Sequence, residues 1–295
     1  MKWLVTGSSG LLGHNLCTYL ASRGMDVTGL HYTHPNGVAQ ASSRKANLID
    51  IASVEAIVLE ESPDVIVHAA GLTNVDACET NESLAKILHA DIAKKMAHLA
   101  IQCDARMVLI STDHLWDGST ALISEEIFPQ PMNAYARTKR SGEIETLKAN
   151  PKSLIIRTNF YGNGRPWRQS FSDWIISNLS SGQNITAFND VFYTPIDLFH
   201  LSVLLDLMIK RDAWGIYNLV GRDRISKYEF AVRLASVFSL DVNLIVAGKI
   251  ADAAMLASRP YDMSLSCKKI EKFLGQKMPS LDACLASLWK NQAAN

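Results

Sequence analysis

The stretch Thr6-Gly7-Ser8-Ser9-Gly10-Leu11-Leu12-Gly13 constrains the fold of this chain more than any other. It comes after the apolar run Trp3-Leu4-Val5 and opens a segment with helical spacing. In such a strand–turn–helix each glycine has a task. Gly7 permits the tight turn, Gly10 lets backbone approach a pyrophosphate, and Gly13 lets the helix pack close to the strand. The helix N-terminus then offers unpaired N–H groups and a partial positive charge to phosphates. The spacing is GxxGxxG rather than the commoner dehydrogenase GxGxxG.

The first half of the chain repeats one rhythm. Short apolar runs at 2–6, 26–30, 64–68, 106–111 and 153–157 alternate with helical segments at 11–23, 53–60, 83–102 and 134–148. Runs such as Val65-Ile66-Val67 and Met107-Val108-Leu109-Ile110 are apolar throughout, as strands buried on both faces are. The pattern predicts right-handed βαβ units: an α/β fold with a doubly wound parallel sheet, the Rossmann arrangement. Near residue 160 the rhythm breaks at Tyr161-Gly162-Asn163-Gly164-Arg165-Pro166. Helices are then expected at 167–179, 197–210, 227–238 and 281–290. The expected division is a dinucleotide-binding domain over 1–160, completed by parts of 185–225. A smaller α+β substrate lobe is expected over 161–295, the chain crossing between the two.

Composition removes several function classes. The formal net charge is zero, with 29 Lys+Arg against 29 Asp+Glu, so no excess charge exists to hold nucleic acid. At 48% hydrophobic residues the chain is not a disordered one. No apolar run approaches a membrane span or a signal peptide, which predicts a cytoplasmic protein with no membrane partner. The five cysteines include no CxxC pair, and the eight histidines no HxxxH or HxH, so neither a disulfide framework nor a metal site is expected.

The second strand carries information by omission. An acidic residue at its end commonly holds the cofactor's ribose 2′-hydroxyl, yet no carboxylate lies between Asp26 and Asp50. A 2′-phosphate would meet no repulsion, with His31 or Arg44 as its cationic partner. NADP(H) is therefore preferred, with NAD(H) as the other option.

Tyr135 and Lys139 stand at i and i+4 and share a helix face. Ile110-Ser111-Thr112-Asp113 ends the preceding strand, where ligands bind in open parallel sheets. A hydroxyl, a phenol and an ammonium can converge there. These motifs resemble the extended short-chain dehydrogenase/reductases, and most closely the dTDP-4-dehydrorhamnose reductase group. The likeness runs through His68-Ala69-Ala70-Gly71, the segments 110–118, 133–143 and 157–162, and Arg259-Pro260.

The resemblance implies a reductase of the 4-keto group of a nucleotide-linked deoxysugar. Tyr135 would be its general acid and Thr112 a donor to the carbonyl oxygen. Lys139 would hold the nicotinamide ribose and, together with the oxidised nicotinamide, lower the phenol's pKa. The cofactor would lie against Gly7, Ser9, Gly10, Leu11, Leu12 and Gly13, with Asn47 and Leu48 at adenine and Ala69, Ala70 and Gly71 lining the floor. Thr73, Asp113, Asn159 and Arg259 would meet the substrate. Trp167 with Arg165 and Arg168 beside it is either a grip for the substrate's nucleotide or an aromatic among ordinary solvated arginines. Three positions depart from the group's pattern: His89 for an asparagine, Asn47 for an aspartate, and Val191 for a glutamine. Other readings within reach of the resemblance are an epimerase or dehydratase, and a non-catalytic regulatory subunit like methionine adenosyltransferase β. A homodimer is the assembly considered.

Overall fold

The computed structural model describes residues 1–293. The first part runs β1 (Lys2–Thr6), α1 (Leu11–Ser22), β2 (Asp26–His31), β3 (Ser42–Lys45), α2 (Ile51–Glu61), β4 (Val65–His68), α3 (Val75–Thr80) and α4 (Glu82–Lys86). After a π turn at Ile87–Asp91 come α5 (Ile92–Gln102), β5 (Arg106–Ile110), α6 (Ala134–Ala149) and β6 (Leu154–Arg157). Next are β7 (Phe160–Tyr161), α7 (Phe171–Ser180), β8 (Ile185–Phe188), β9 (Phe192–Tyr193), β10 (Ile196–Asp197) and α8 (Leu198–Lys210). The chain closes with β11 (Gly215–Asn218), β12 (Ile225–Ser226), α9 (Lys227–Val237), β13 (Ile245–Gly248), α10 (Lys268–Leu274) and α11 (Leu281–Ala293).

Seven strands form one parallel sheet in the order β11-β6-β5-β4-β1-β2-β3. Alternate residues of β1 show why the runs read as apolar throughout: Trp3 and Val5 enter the core on one face, Leu4 the core on the other. The strand order reverses between β1 and β4, which places a crevice beyond their carboxyl ends. The remaining strands form three two-stranded pieces, β7 with β10, β8 with β13 and β9 with β12.

The five strands read from the sequence are all present, and β11 completes the sheet beside β6. Three features differ. β3 is Ser-Ser-Arg-Lys, with no apolar residue to betray it, because it is the outer edge of the sheet. The helix expected over 83–102 is continuous but contains the π turn, with His89 inside it. The helix expected from 167 starts at Phe171, because Ser170 and Asp173 make a reciprocal capping box. Trp167 and Arg168 therefore belong to the preceding loop.

A fully buried ion pair ties α6 to the sheet. Arg157 Nε and Nη2 donate to Glu143 at 2.9 and 2.8 Å, Ser111 Oγ donates to the same carboxylate at 2.6 Å, and Arg140 at 2.8 Å. The Arg157 guanidinium lies over the Trp116 ring, 5.1 Å from its centroid. Burial alone would push the Glu143 carboxyl up, but these donors hold it below the usual range. Arg157→Met leaves that carboxylate buried without its main partner and is expected to cost about 3–5 kcal/mol. Urea unfolding at neutral pH measures it; a loss under about 1 kcal/mol would contradict the assignment.

Candidate active site

At the carboxyl ends of the central strands lies a cleft of about 670 Å³. Gly7 has φ +68°, and a Cβ there would fall 2.9 Å from Ala70 Cα, so the turns after β1 and β4 touch only because it is glycine. A Cβ on Gly13 would lie 2.2 Å from Gly7 O. Gly10 is the extended N-cap of α1 and no side chain caps it, which leaves first-turn N–H groups for an incoming anion. The uncapped helix, the close backbone and the length of the cleft fit a dinucleotide.

Of the residues expected at the cofactor, Gly7, Ser9, Gly10, Leu11, Leu12, Gly13, Ala69, Ala70, Gly71, Tyr135 and Lys139 line this cleft. Four do not. Arg44 is held by Glu60 at 2.9 Å and Glu61 at 3.0 Å, toward the opposite end of the sheet. His31 Nδ1 bonds Ser43 Oγ at 3.0 Å, and burial with the Lys45 charge lowers its pKa. Asn47 accepts from the Ile49 N–H at 3.2 Å, and Leu48 packs against the core. The strand end instead presents Tyr32, Thr33 and His34 to the cleft.

The three residues expected to act on substrate converge. α6 starts at Asn133, whose side chain accepts from the Ala136 N–H at 2.9 Å and donates to Ser258 O at 2.8 Å. Tyr135 and Lys139 come next on one face. Lys139 Nζ donates to Ile110 O at 2.5 Å, beside Thr112 at the strand end. Thr112 Oγ1 accepts the His114 N–H at 3.2 Å and meets the Tyr135 hydroxyl. The phenol ring stands edge-on between His89 and His114, at 5.6 and 5.7 Å.

Burial governs the charges here. It pushes the Tyr135 phenol up to about 12, against the Thr112 hydrogen bond. It lowers the Lys139 ammonium to about 8, against the Glu143 charge. The expected lowering of the phenol by Lys139 is thus absent from the protein alone, and the phenol is protonated at neutral pH. Burial and the Lys139 charge also take His89 down to about 3. Its Nε2 meets Leu72 O at 2.9 Å and its Nδ1 meets Thr138 Oγ1 at 2.8 Å. A carbonyl only accepts, so the network assigns the proton to Nε2, and both ring nitrogens are engaged.

Around this centre the other expected residues divide. Asp113 and Asn159 line the cleft, joined by an Asn159 Nδ2 donation to Asp113 at 2.7 Å, and burial raises the Asp113 pKa. Thr73 lines it too and accepts from Arg168. Trp167 sits at the glycine-loop end, donating from Nε1 to Ser9 O at 3.1 Å and stacked on His34 at 4.4 Å. Arg165 lies over the Trp167 face at 4.9 Å and outside the cleft lining. Arg259 is also outside the lining, paired to Asp76 at 3.1 Å.

Compared with known proteins, the chain matches the RmlD substrate binding domain over residues 1–293. It belongs to that family. Similar proteins include a probable low-salt glycan biosynthesis reductase, Agl14, of Haloferax volcanii. It is 26% identical over 98% of this chain and 97% of its own. Methionine adenosyltransferase 2 subunit beta of Xenopus laevis is 29% identical over 97% of this chain and 86% of its own. Among solved structures, the dTDP-4-dehydrorhamnose reductase of Bacillus anthracis in complex with NADP superposes with a TM-score of 0.88. It is 25% identical, covering 99% of this chain and 100% of that one. A hypothetical dTDP-4-dehydrorhamnose reductase from Sulfolobus tokodaii gives 0.84 at 29% identity, over 96% and 99% of the two chains.

In this RmlD-family chain the site also contains residues that the sequence did not flag. Glu143 carried a signal, standing four residues beyond Lys139 on the same face. Arg168, considered from the sequence with Arg165 as a grip beside Trp167, does line the cleft. Sequence spacing likewise concealed a grouping of Asp197, His200 and Cys284, with potential ligand atoms within 4.8 Å of one another. Its Asp197–His200 contact is a 2.5 Å hydrogen bond at the N-cap of α8. That is closer than two ligands at about 2.0–2.2 Å from a tetrahedral zinc can stand, so the grouping serves as a helix cap.

The depressed Lys139 pKa sets a pH signature in this family member. Between pH of about 8 and 10.5 the unfolded chain binds more protons at this residue, so its burial cost fades as pH rises. Lys139→Met is expected to melt higher than wild type at pH 7, with the gap closing by pH of about 10. Thermal scans across that range decide it, and a gap independent of pH would refute the burial assignment.

Proposed function

We propose that this chain is an NADP(H)-dependent reductase of the 4-keto group of a nucleotide-linked deoxysugar, of the dTDP-4-dehydrorhamnose type. The observation that carries the reading is the meeting of Thr112, Tyr135 and Lys139 at the wall of a dinucleotide cleft. NADPH supplies a hydride when bound. Tyr135, protonated at neutral pH, gives its proton to the carbonyl oxygen. Thr112 Oγ1 accepts from the His114 N–H and donates to Asp113 Oδ1 over a long 3.4 Å, a hydrogen that turns to the carbonyl oxygen once substrate enters and fixes its direction. Lys139, in the cleft lining, would hold the nicotinamide ribose and steady the phenolate until a proton returns from water. His89, engaged at both nitrogens, orients the phenol without relaying protons.

Preference for NADP(H) over NAD(H) is supported by the absence of any carboxylate among Tyr32, Thr33 and His34, and by the NADP complex of the Bacillus anthracis relative. Asp113, Asn159, Thr73 and Arg168 face the sugar nucleotide. We place the protein in the cytoplasm; no helix among the described residues is long and apolar enough to cross a membrane. One observation favours a second reading. Several methionine adenosyltransferase 2 β subunits are 28–29% identical over 97% of this chain, which would make it a partner-bound regulatory subunit.

Turnover separates the two. Wild type is expected to oxidise NADPH when given dTDP-4-dehydrorhamnose, and Tyr135→Phe to lose about 10²–10⁴ in kcat. NADPH affinity, read by fluorescence titration, should change less than about threefold, since the phenol acts on the carbonyl. Equal inactivity of both proteins would defeat the reductase reading in favour of the regulatory one.

A further inference from the structure

The turn at 165–168 has no part in the mechanism above, yet it crosses the mouth of the cleft. Its ends pair: the Arg165 N–H donates to Arg168 O at 3.0 Å, and the Arg168 N–H to Arg165 O at 2.8 Å. Its base is fixed. Asn163 O accepts from Asn15 on α1 at 2.9 Å, and the Gly164 N–H donates at 2.9 Å to Asp173, in the capping box of α7. A Cβ on Gly164 would fall 2.4 Å from Arg168 O, so the chain folds back this tightly only with glycine there.

The tip rests on both sides of the crevice. On one side Trp167 Nε1 donates to Ser9 O in the glycine turn at 3.1 Å, and its ring stacks on His34, after β2, at 4.4 Å. On the other side Arg168 donates to Thr73, in the loop after β4. The turns after β1 and β4 are the walls between which the strand order reverses, where an extended dinucleotide lies. Ser9, His34, Thr73, Trp167 and Arg168 all line that cleft. A peptide turn pinned to both walls bars a ligand as long as a dinucleotide from settling between them, and bars its departure in the same way. The pins themselves are weak. Trp167 is 39% exposed, and a single hydrogen bond and ring stack in contact with water give way readily. A fixed base with a lightly held tip is the build of a latch.

We propose that the 165–168 turn is a latch over the dinucleotide, with Trp167 as its catch. It opens to admit or release the cofactor and closes across it. Trp167 thus serves cofactor exchange rather than recognition of the sugar nucleotide. The inference rests on the dinucleotide that the reductase reading places in the cleft. Because the catch seats on protein groups, Ser9 and His34, its loss frees entry and exit alike.

Stopped-flow binding of NADPH, followed by the cofactor's own fluorescence without sugar nucleotide, tests this on wild type, Trp167→Ala and Trp167→Phe. Trp167→Ala should raise the association and dissociation rates together by about 10-fold, leaving Kd within about threefold. Trp167→Phe keeps a ring against His34 but has no N–H for Ser9, and should fall between. Melting temperatures measured in parallel confirm folded protein. Unchanged rates with a raised KM for dTDP-4-dehydrorhamnose would overturn the latch and make Trp167 a substrate grip. Faster dissociation alone, with Kd weakened to match, would overturn it too, since Trp167 would then be an ordinary contact of bound cofactor. Latch kinetics without turnover of the sugar would uphold the inference and defeat the reductase reading. Failure of wild type to bind NADPH would overturn both.

Discussion

The geometry of the site depends on one buried carboxylate. Tyr135, Lys139 and Glu143 succeed one another at intervals of four along α6. Glu143 takes hydrogen bonds from Ser111, one residue before Thr112, and from Arg157, two residues before Asn159. A single side chain thereby sets the helix against two strand ends at once. Buried ion pairs are a weak source of stability, because desolvation consumes most of the attraction. Their better use is register. Ser111 and Arg157 reach this carboxylate together only when α6 sits at one height along β5 and β6, and that height brings phenol, ammonium and threonine to the same wall.

Burial also decides the charge state of the centre. With no ligand charge nearby, low dielectric favours every neutral form, so the phenol keeps its proton and His68 and His89 stay uncharged. Lys139 stands near the borderline. The expectation that it would draw the phenol's pKa down treats attraction between charges as the larger effect. The folded protein shows the reverse, since a group with its partners still missing feels the loss of water first.

Elements that owe their existence to apolar periodicity are legible directly: β1, β2, β4, β5, β6 and the helices between them are where the alternation puts them. The glycine turn and the Thr112–Tyr135–Lys139 group are legible for a related reason, as each is a local pattern whose meaning depends on the strand it ends. Features set by tertiary partners are not. β3 is polar because it is an edge. Arg44 has the right charge in the right segment, but Glu60 and Glu61, brought near by α2, claim it. Which end of the cleft Trp167 reaches is also set by tertiary partners: the loop before the Ser170 cap carries it to Ser9, with Arg165 over its face and outside the lining.

The return of the chain to the sheet has a consequence for how the protein comes into being. β6 finds its outer neighbour in β11, more than fifty residues later, after the chain has formed β7 to β10 with α7 and α8. A nascent chain halted near residue 160 would display an apolar strand with one unpaired edge, the kind of surface that templates association between copies. The last strand of the sheet is thus a seal applied late in synthesis. The two halves of the chain are also inherited together, because cutting the gene where the rhythm of the sequence changes would leave the first half open along its side.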